Sequence, residues 1–232
     1  MLIIANWKMN PLTLKEAYKL LDFYKKLDIE IWVAPPSIFL AKLIEKYPNF
    51  NFGAQNVFFE KNGPYTGEIS ARMIKNLGGK FVIVNHSERR KLGEDFKIAN
   101  LKIKSILKEN LIPVVCLGEE KPIQSINKLK RKWEENFNVL FKGIKEFKKI
   151  IIAYEPTWAI STYKIGPVQP NIVKEFIKWI NKFNFKKIIY GGSVFPETIE
   201  SYLDLNLDGF LIGSKSLSKK DFKKIVNKIK TQ

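Results

Sequence analysis

The sequence predicts an α/β fold, specifically a (β/α)8 barrel of eight parallel strands ringed by helices. Three observations point there. Short apolar runs alternate with longer segments of helical period, the pattern of parallel strands joined by helical crossovers. The runs number eight. They are nearly continuous in Val, Ile, Leu and Phe, as strands covered on both faces should be. Finally, the 232 residues divide into eight units of about 29 each, close to a compact barrel. An open doubly wound sheet shares the local pattern, but eight even units favour closure. The whole chain, 1–232, reads as a single barrel domain.

The strand candidates in order are LIIANW (2–7), EIWVAP (30–35), NFGAQN (51–56), FVIVN (81–85), PVVCLG (113–118), IIIAYE (150–155), KIIYGG (187–192) and GFLIG (209–213). Between the first two, Leu14, Ala17, Tyr18, Leu21 and Tyr24 share one helical stripe, and Thr13 three residues before Glu16 has the form of a capping box. A second stripe joins Ala99, Ile103, Ile106 and Leu107, and a third Ile126, Leu129, Trp133, Phe137 and Leu140. The fourth is Val173, Phe176, Ile177 and Ile180, and the fifth Phe222, Ile225, Val226 and Ile229. The longest connection without helical period, 57–70, carries Gly63, Pro64 and Gly67. It is a turn-rich loop of the kind that serves function or an interface.

Composition excludes several classes. No run of about 18 apolar residues exists, so no membrane span or membrane partner is expected. The N-terminus lacks the parts of a secretory signal, and the lone Cys116 allows no internal disulfide, so a cytoplasmic protein is expected. The net charge of +17 suits an anionic substrate or a nucleic acid. The lysines are spread along helical segments such as FKKIVNKIK rather than focused in one block. That is the distribution of a solvated surface, and no specific nucleic-acid partner is expected.

In a barrel, chemistry collects at the C-terminal ends of the strands. Those ends carry Asn6, Trp7 and Lys8, then Asn85 and His86, then Cys116 to Glu119, then Glu155, then Gly191, Gly192 and Ser193, and last Gly213 and Ser214. Each residue alone has a bland reading: a satisfied polar core histidine, a surface lysine, a structural acid, ordinary turn glycines. Cys116 has no neighbour in sequence that would activate a thiol and reads as a small buried residue. Together they are chemically coherent. Gly/Ser strand ends bare their N–H groups to an anion, and a helix opening after Ser214 adds its dipole. A carboxylate in an apolar surround has a raised proton affinity and serves as a base. An imidazole and an ammonium stabilise negative charge on a carbonyl oxygen. The ensemble suggests proton abstraction beside a carbonyl on a small phosphorylated compound. One histidine and one cysteine do not make a typical zinc site, and no dinucleotide fingerprint follows the first strand. No metal or other cofactor is expected. Another phosphate-binding barrel, such as an aldolase, and a basic nucleic-acid-binding barrel stay open on these grounds alone.

The stretches ANWKMN (5–10), GAQNV with NGPYTGEIS (53–70), NHSERR (85–90), VCLGEE (115–120), AYEPTWAI (153–160), YGGSV (190–194) and DGFLIGS (208–214) resemble the triosephosphate isomerase family, in its order and across the whole chain. The resemblance implies a TIM barrel that interconverts dihydroxyacetone phosphate and D-glyceraldehyde 3-phosphate, in glycolysis and gluconeogenesis. It implies Glu155 as the base and His86 as an electrophile kept neutral by the helix that begins in SERR. It gives Lys8 the role of supplying positive potential and Asn6 that of binding substrate oxygens. Ser87 and Glu88 would support them, and the N–H groups of Ser161, Ser193, Gly213 and Ser214 would hold the phosphate. Pro156 to Trp158 would hinge a lid over roughly 159–162. Loop 57–70 would dock on a second subunit of a homodimer, with Thr66 and Gln55 at the contact. The chain departs from the family pattern at Asn85, Ser161 and Tyr163, where glycines are usual. It also departs at Lys215, where a small residue is usual and an outward-pointing side chain is expected.

Overall fold

A computed structural model describes residues 1–159 and 166–231. Its strands are β1 (Leu2–Asn6), β2 (Glu30–Ala34), β3 (Asn51–Ala54), β4 (Phe81–Val84), β5 (Ile112–Leu117), β6 (Ile151–Tyr154), β7 (Lys187–Tyr190) and β8 (Gly209–Ile212). Each lies within an apolar run singled out in the sequence or overlaps it closely. Every pairing is parallel and the order around the ring is the order of the chain, β8 closing on β1. The predicted closed barrel is the observed one.

The continuous apolar strands divide by parity. Leu2, Ile4, Trp32, Ala34, Phe81, Ile83, Val114, Cys116, Ile151, Ala153, Ile189 and Leu211 fill the barrel axis. Their alternates, such as Ile3, Ala5, Val82, Val84, Ile152 and Tyr154, pack outward against the helices. Successive strand residues point to opposite faces, so this two-layer split follows directly from the sequence. β3 presents Gly53 to the axis, and the Phe81 ring fills the room this leaves: a Cβ at Gly53 would fall 2.5 Å from Phe81 Cγ.

The helices described are α1 (Leu14–Tyr24), α2 (Ser37–Lys46), α3 (Ala71–Asn76), α4 (Ser87–Lys91), α5 (Phe96–Lys108), α6 (Ile126–Leu140), α7 (Pro170–Ile180), α8 (Glu200–Leu203) and α9 (Lys219–Lys230). The five stripes fall on α1, α5, α6, α7 and α9 and face the barrel. α1 starts with the capping box: the Glu16 N–H donates to Thr13 Oγ1 and the Thr13 N–H to Glu16 Oε2. Asp95, Ser125 and Ser218 cap α5, α6 and α9 through their side chains. One expectation is corrected. Ser214 opens only a 3-10 turn, Ser214–Ser216, and α9 begins later at Lys219. Gly213 accepts from the Ser216 N–H and hydroxyl, which closes that turn before a helix can propagate.

Barrel closure is tightest at the last seam. Gly209 is paired with Leu2, and a Cβ at position 209 would fall 1.9 Å from the Leu2 carbonyl oxygen, which is fixed backbone. Gly209→Ala is expected to lose about 3 kcal/mol of stability or fail to accumulate as folded protein, read from denaturant unfolding and soluble yield.

Candidate active site

The parity that fills the barrel also sets its rim. Counting in twos from Ile4, Ile83, Ala153, Ile189 and Leu211 reaches Asn6, Asn85, Glu155, Gly191 and Gly213 at the C-terminal mouth. Asn6, Lys8, His86, Gly191, Gly192 and Gly213 line one small pocket there together with Leu211. Six of those seven were expected at strand ends from sequence: Asn6, Lys8 and His86 in chemical roles, Gly213 as a phosphate donor, and Gly191 and Gly192 as a glycine strand end. The glycines are needed for space. Lys8 already lies 3.1 Å from where a Gly213 Cβ would stand, and Gly191 lies beside Glu155.

Lys8 has φ 55, in the left-handed region where a non-glycine residue is strained. Neighbours hold it there. Its N–H donates to Asn6 Oδ1 at 3.1 Å, and its carbonyl accepts from Gln55 Nε2 at 2.7 Å. The same Gln55 amide donates to Ala34 O at 2.9 Å. Gln55, expected at a subunit contact, thus braces Lys8 within its own chain. Lys8 Nζ lies 2.6 Å from Glu88 Oε1.

His86 is the N-cap of α4. Its Nδ1 accepts the Glu88 N–H at 3.2 Å. Nε2 lies 3.4 Å from Glu155 Oε2. Glu155 itself is fully buried, and its Oε1 accepts from the Ser87 N–H at 3.0 Å and the Ser87 hydroxyl at 2.5 Å. It does not line the pocket. Its backbone is fixed by a bond from its N–H to Leu117 O and by the close approach of Gly118.

The expected rise in the proton affinity of Glu155 is corrected. Burial does push its carboxyl up, and that is the largest single effect. The facing His86 ring, the Ser87 hydroxyl, the Arg90 guanidinium and the Ser87 N–H together outweigh it, and the group lies below its ordinary value. The sequence shows apolar neighbours but not a hydroxyl brought in from 68 residues away.

Around this core sit groups that sequence reasoning left without roles. Buried Glu119 accepts from Trp133 Nε1 at 3.0 Å and Trp158 Nε1 at 2.9 Å, and the Thr157 N–H donates to its carbonyl. One carboxylate therefore ties α6 to the segment following Glu155. Arg90 donates to Asn85 O and to Thr157 Oγ1. The signals available were the acid in VCLGEE and the two indoles, but only folding brings them together. Ser193 donates through both its N–H, at 3.0 Å, and its hydroxyl, at 2.6 Å, to Ala159 O. Ser214 is exposed at the mouth. Ser161, expected to give an N–H to the phosphate, lies outside the described residues, as do Tyr163 and most of the lid. Lys215 points away from the pocket onto Asp221 at 2.7 Å, as expected.

Because Glu155 is held below its ordinary value, its ionised form contributes stability that is present above the normal carboxylate range. That contribution disappears as pH falls through the folded-state value. Ser87→Ala removes one of the holding bonds. It is expected to lower stability at neutral pH by about 2 kcal/mol and to move the acid-unfolding midpoint to higher pH, read by circular dichroism against pH.

The chain matches the triosephosphate isomerase family model over residues 1–229. Among curated proteins it is 38% identical over 244 residues to the triosephosphate isomerase of Clostridium botulinum strain Loch Maree, covering 97% of this chain and 98% of that one. It is 39% identical over 236 residues to that of Mycoplasma mobile, covering 95% and 96%. Against that of Caldanaerobacter subterraneus it is 37% identical over 246 residues, covering 97% and 98%. With strand ends, pocket and sequence in agreement from end to end, this chain belongs to the triosephosphate isomerase family.

Proposed function

We propose that the protein interconverts dihydroxyacetone phosphate and D-glyceraldehyde 3-phosphate by proton transfer through an enediolate. The observation that carries this is the pocket in which Asn6, Lys8 and His86 face Gly191, Gly192 and Gly213, with the Glu155 carboxylate directly behind. Glu155 takes a proton from carbon 1 of dihydroxyacetone phosphate and returns it to carbon 2, while the hydroxyl proton on the carbon 1 oxygen passes by way of His86 to the carbon 2 oxygen. His86 donates from Nε2 to the oxygens that gain charge, Lys8 adds positive potential, and Asn6 hydrogen-bonds the substrate.

Glu155 reaches the substrate by leaving Ser87. On leaving, it gives up two hydrogen bonds that favour its ionised form, so its basicity rises as it enters the closed pocket. The phosphate takes N–H groups from Gly213, Ser214, Ser161 and Ser193. Ser193 must first release Ala159 O, which couples phosphate capture to the hinge at Pro156–Trp158. Closure expels water and protects the enediolate from losing phosphate.

The active form is a homodimer docked through loop 57–70. Supporting this, residues 60–68 are all exposed, Phe58 stacks on Phe59 at 4.2 Å, and Tyr65 packs on Phe58 at 4.6 Å, so the loop is stiffened by its own rings. Thr66 lies at its exposed tip. Met9, Leu12, Ile38 and Leu92, exposed by 76% or more, follow the ends of β1, β2 and β4 on the same side of the barrel and give the loop an apolar face to meet. A single reduced cysteine, Cys116, fits a cytoplasmic setting.

In a coupled assay of glyceraldehyde 3-phosphate conversion, Glu155→Asp is expected to lower kcat by at least about a hundredfold at similar KM, the result of moving a base by one methylene. A folded wild-type protein with no turnover would overturn the assignment. By sedimentation equilibrium the wild type is expected to be a dimer, and Tyr65→Asp to weaken association at least about a hundredfold. A monomeric wild type would sink the dimer.

A further inference from the structure

Asn85 stands immediately before His86 in a position that disfavours most residues. Its φ is 60, the left-handed region that asparagine tolerates better than other side chains but still at a cost relative to glycine. It is fully buried, and its Oδ1 has no hydrogen-bond partner. Strained backbone and an unpaired buried oxygen both oppose stability. Packing therefore does not account for an amide here.

What the amide does is local and directional. The β4–β5 ladder runs in register only as far as Val84 beside Val115. One step further, Asn85 Nδ2 donates to Cys116 O at 2.7 Å, so a side chain supplies the next rung. Cys116 lies against Glu155, whose charge, after burial, is the largest influence raising the thiol's proton affinity. The backbone oxygen of Asn85 accepts from Arg90 at 3.3 Å, and Arg90 also holds Thr157 beside the hinge. The residue thus ties β4, β5, α4 and the hinge at the point where His86 is presented.

We infer that Asn85 is a positioning residue: its amide rung on Cys116 O fixes the β4 terminus so that His86 Nε2 holds its place facing Glu155. The inference rests on the isomerase reading for its kinetic readout only. Asn85→Gly accepts the same φ and deletes the rung. Asn85→Asp keeps the shape but sets a carboxylate oxygen against a carbonyl oxygen. Because His86 is the only histidine in the chain, its ring resonances can be read without ambiguity.

The test measures kcat, KM and the His86 ring proton and nitrogen shifts in wild type and both variants. Asn85→Gly is expected to lower kcat about tenfold with KM within about twofold, and to shift or broaden the His86 Nε2–H signal. Asn85→Asp is expected to lose more in kcat. Wild-type kcat and an unmoved His86 signal in Asn85→Gly, with only the melting temperature changed, would overturn the proposal. If Asn85→Gly does not fold, Asn85→Asp decides, and an unmoved His86 signal there overturns the proposal equally. An inactive wild type would defeat the isomerase reading instead, while the His86 signal still decides the role of Asn85.

Discussion

In a closed ring of parallel strands every second residue must face the axis, and every strand ends at the same rim. That constraint arranges most of the molecule. The inner series of β1, β4, β6, β7 and β8 runs through Ile4, Ile83, Ala153, Ile189 and Leu211 before it reaches Asn6, Asn85, Glu155, Gly191 and Gly213. Polar groups can occupy this layer because the strands below are apolar and fixed. The site is in effect the topmost layer of the core, with its fillers exchanged for chemistry and for the absence of side chains.

That layer keeps buried charge in order with fixed donors. Glu155 rests on the Ser87 N–H and hydroxyl, and Glu119 rests on two indoles. A buried carboxylate stripped of partners would gain a proton, so the Ser87 donors hold the charge of Glu155 as well as its place. The Ser87 pair defines a resting state of low basicity for Glu155, and Glu119 anchors Trp158 just past it. Activation on this plan is a change of partners and needs no change of fold.

Much of this was legible in the sequence. All eight strands, the five long amphipathic helices and the capping box at Thr13 follow from period and spacing, because each is a local property of consecutive residues. The shorter α3, α4 and α8 give no stripe, since four to six residues cannot complete two turns of a pattern, and α2, ten residues long with Phe39, Leu40 and Leu43 buried, is the longer helix that the five stripes miss. Residue types at strand ends located Glu155, His86, Lys8 and Asn6. What the sequence withheld was pairing across the fold. The downward shift of Glu155, the brace from Gln55 to Lys8 and the bonds of Ser193 to Ala159 each depend on atoms brought together by tertiary structure.

The seam between β8 and β1 has a bearing on how such a chain can change over generations. Its helices turn dense rows of exposed lysine to solvent, as at Lys219, Lys220, Lys223 and Lys224, and substitutions there displace no buried neighbour. At Gly209, by contrast, the Leu2 carbonyl leaves room for a hydrogen and nothing larger. Drift in composition can therefore rewrite the outside of the barrel freely, while the circle itself is closed by a residue with no side chain left to vary.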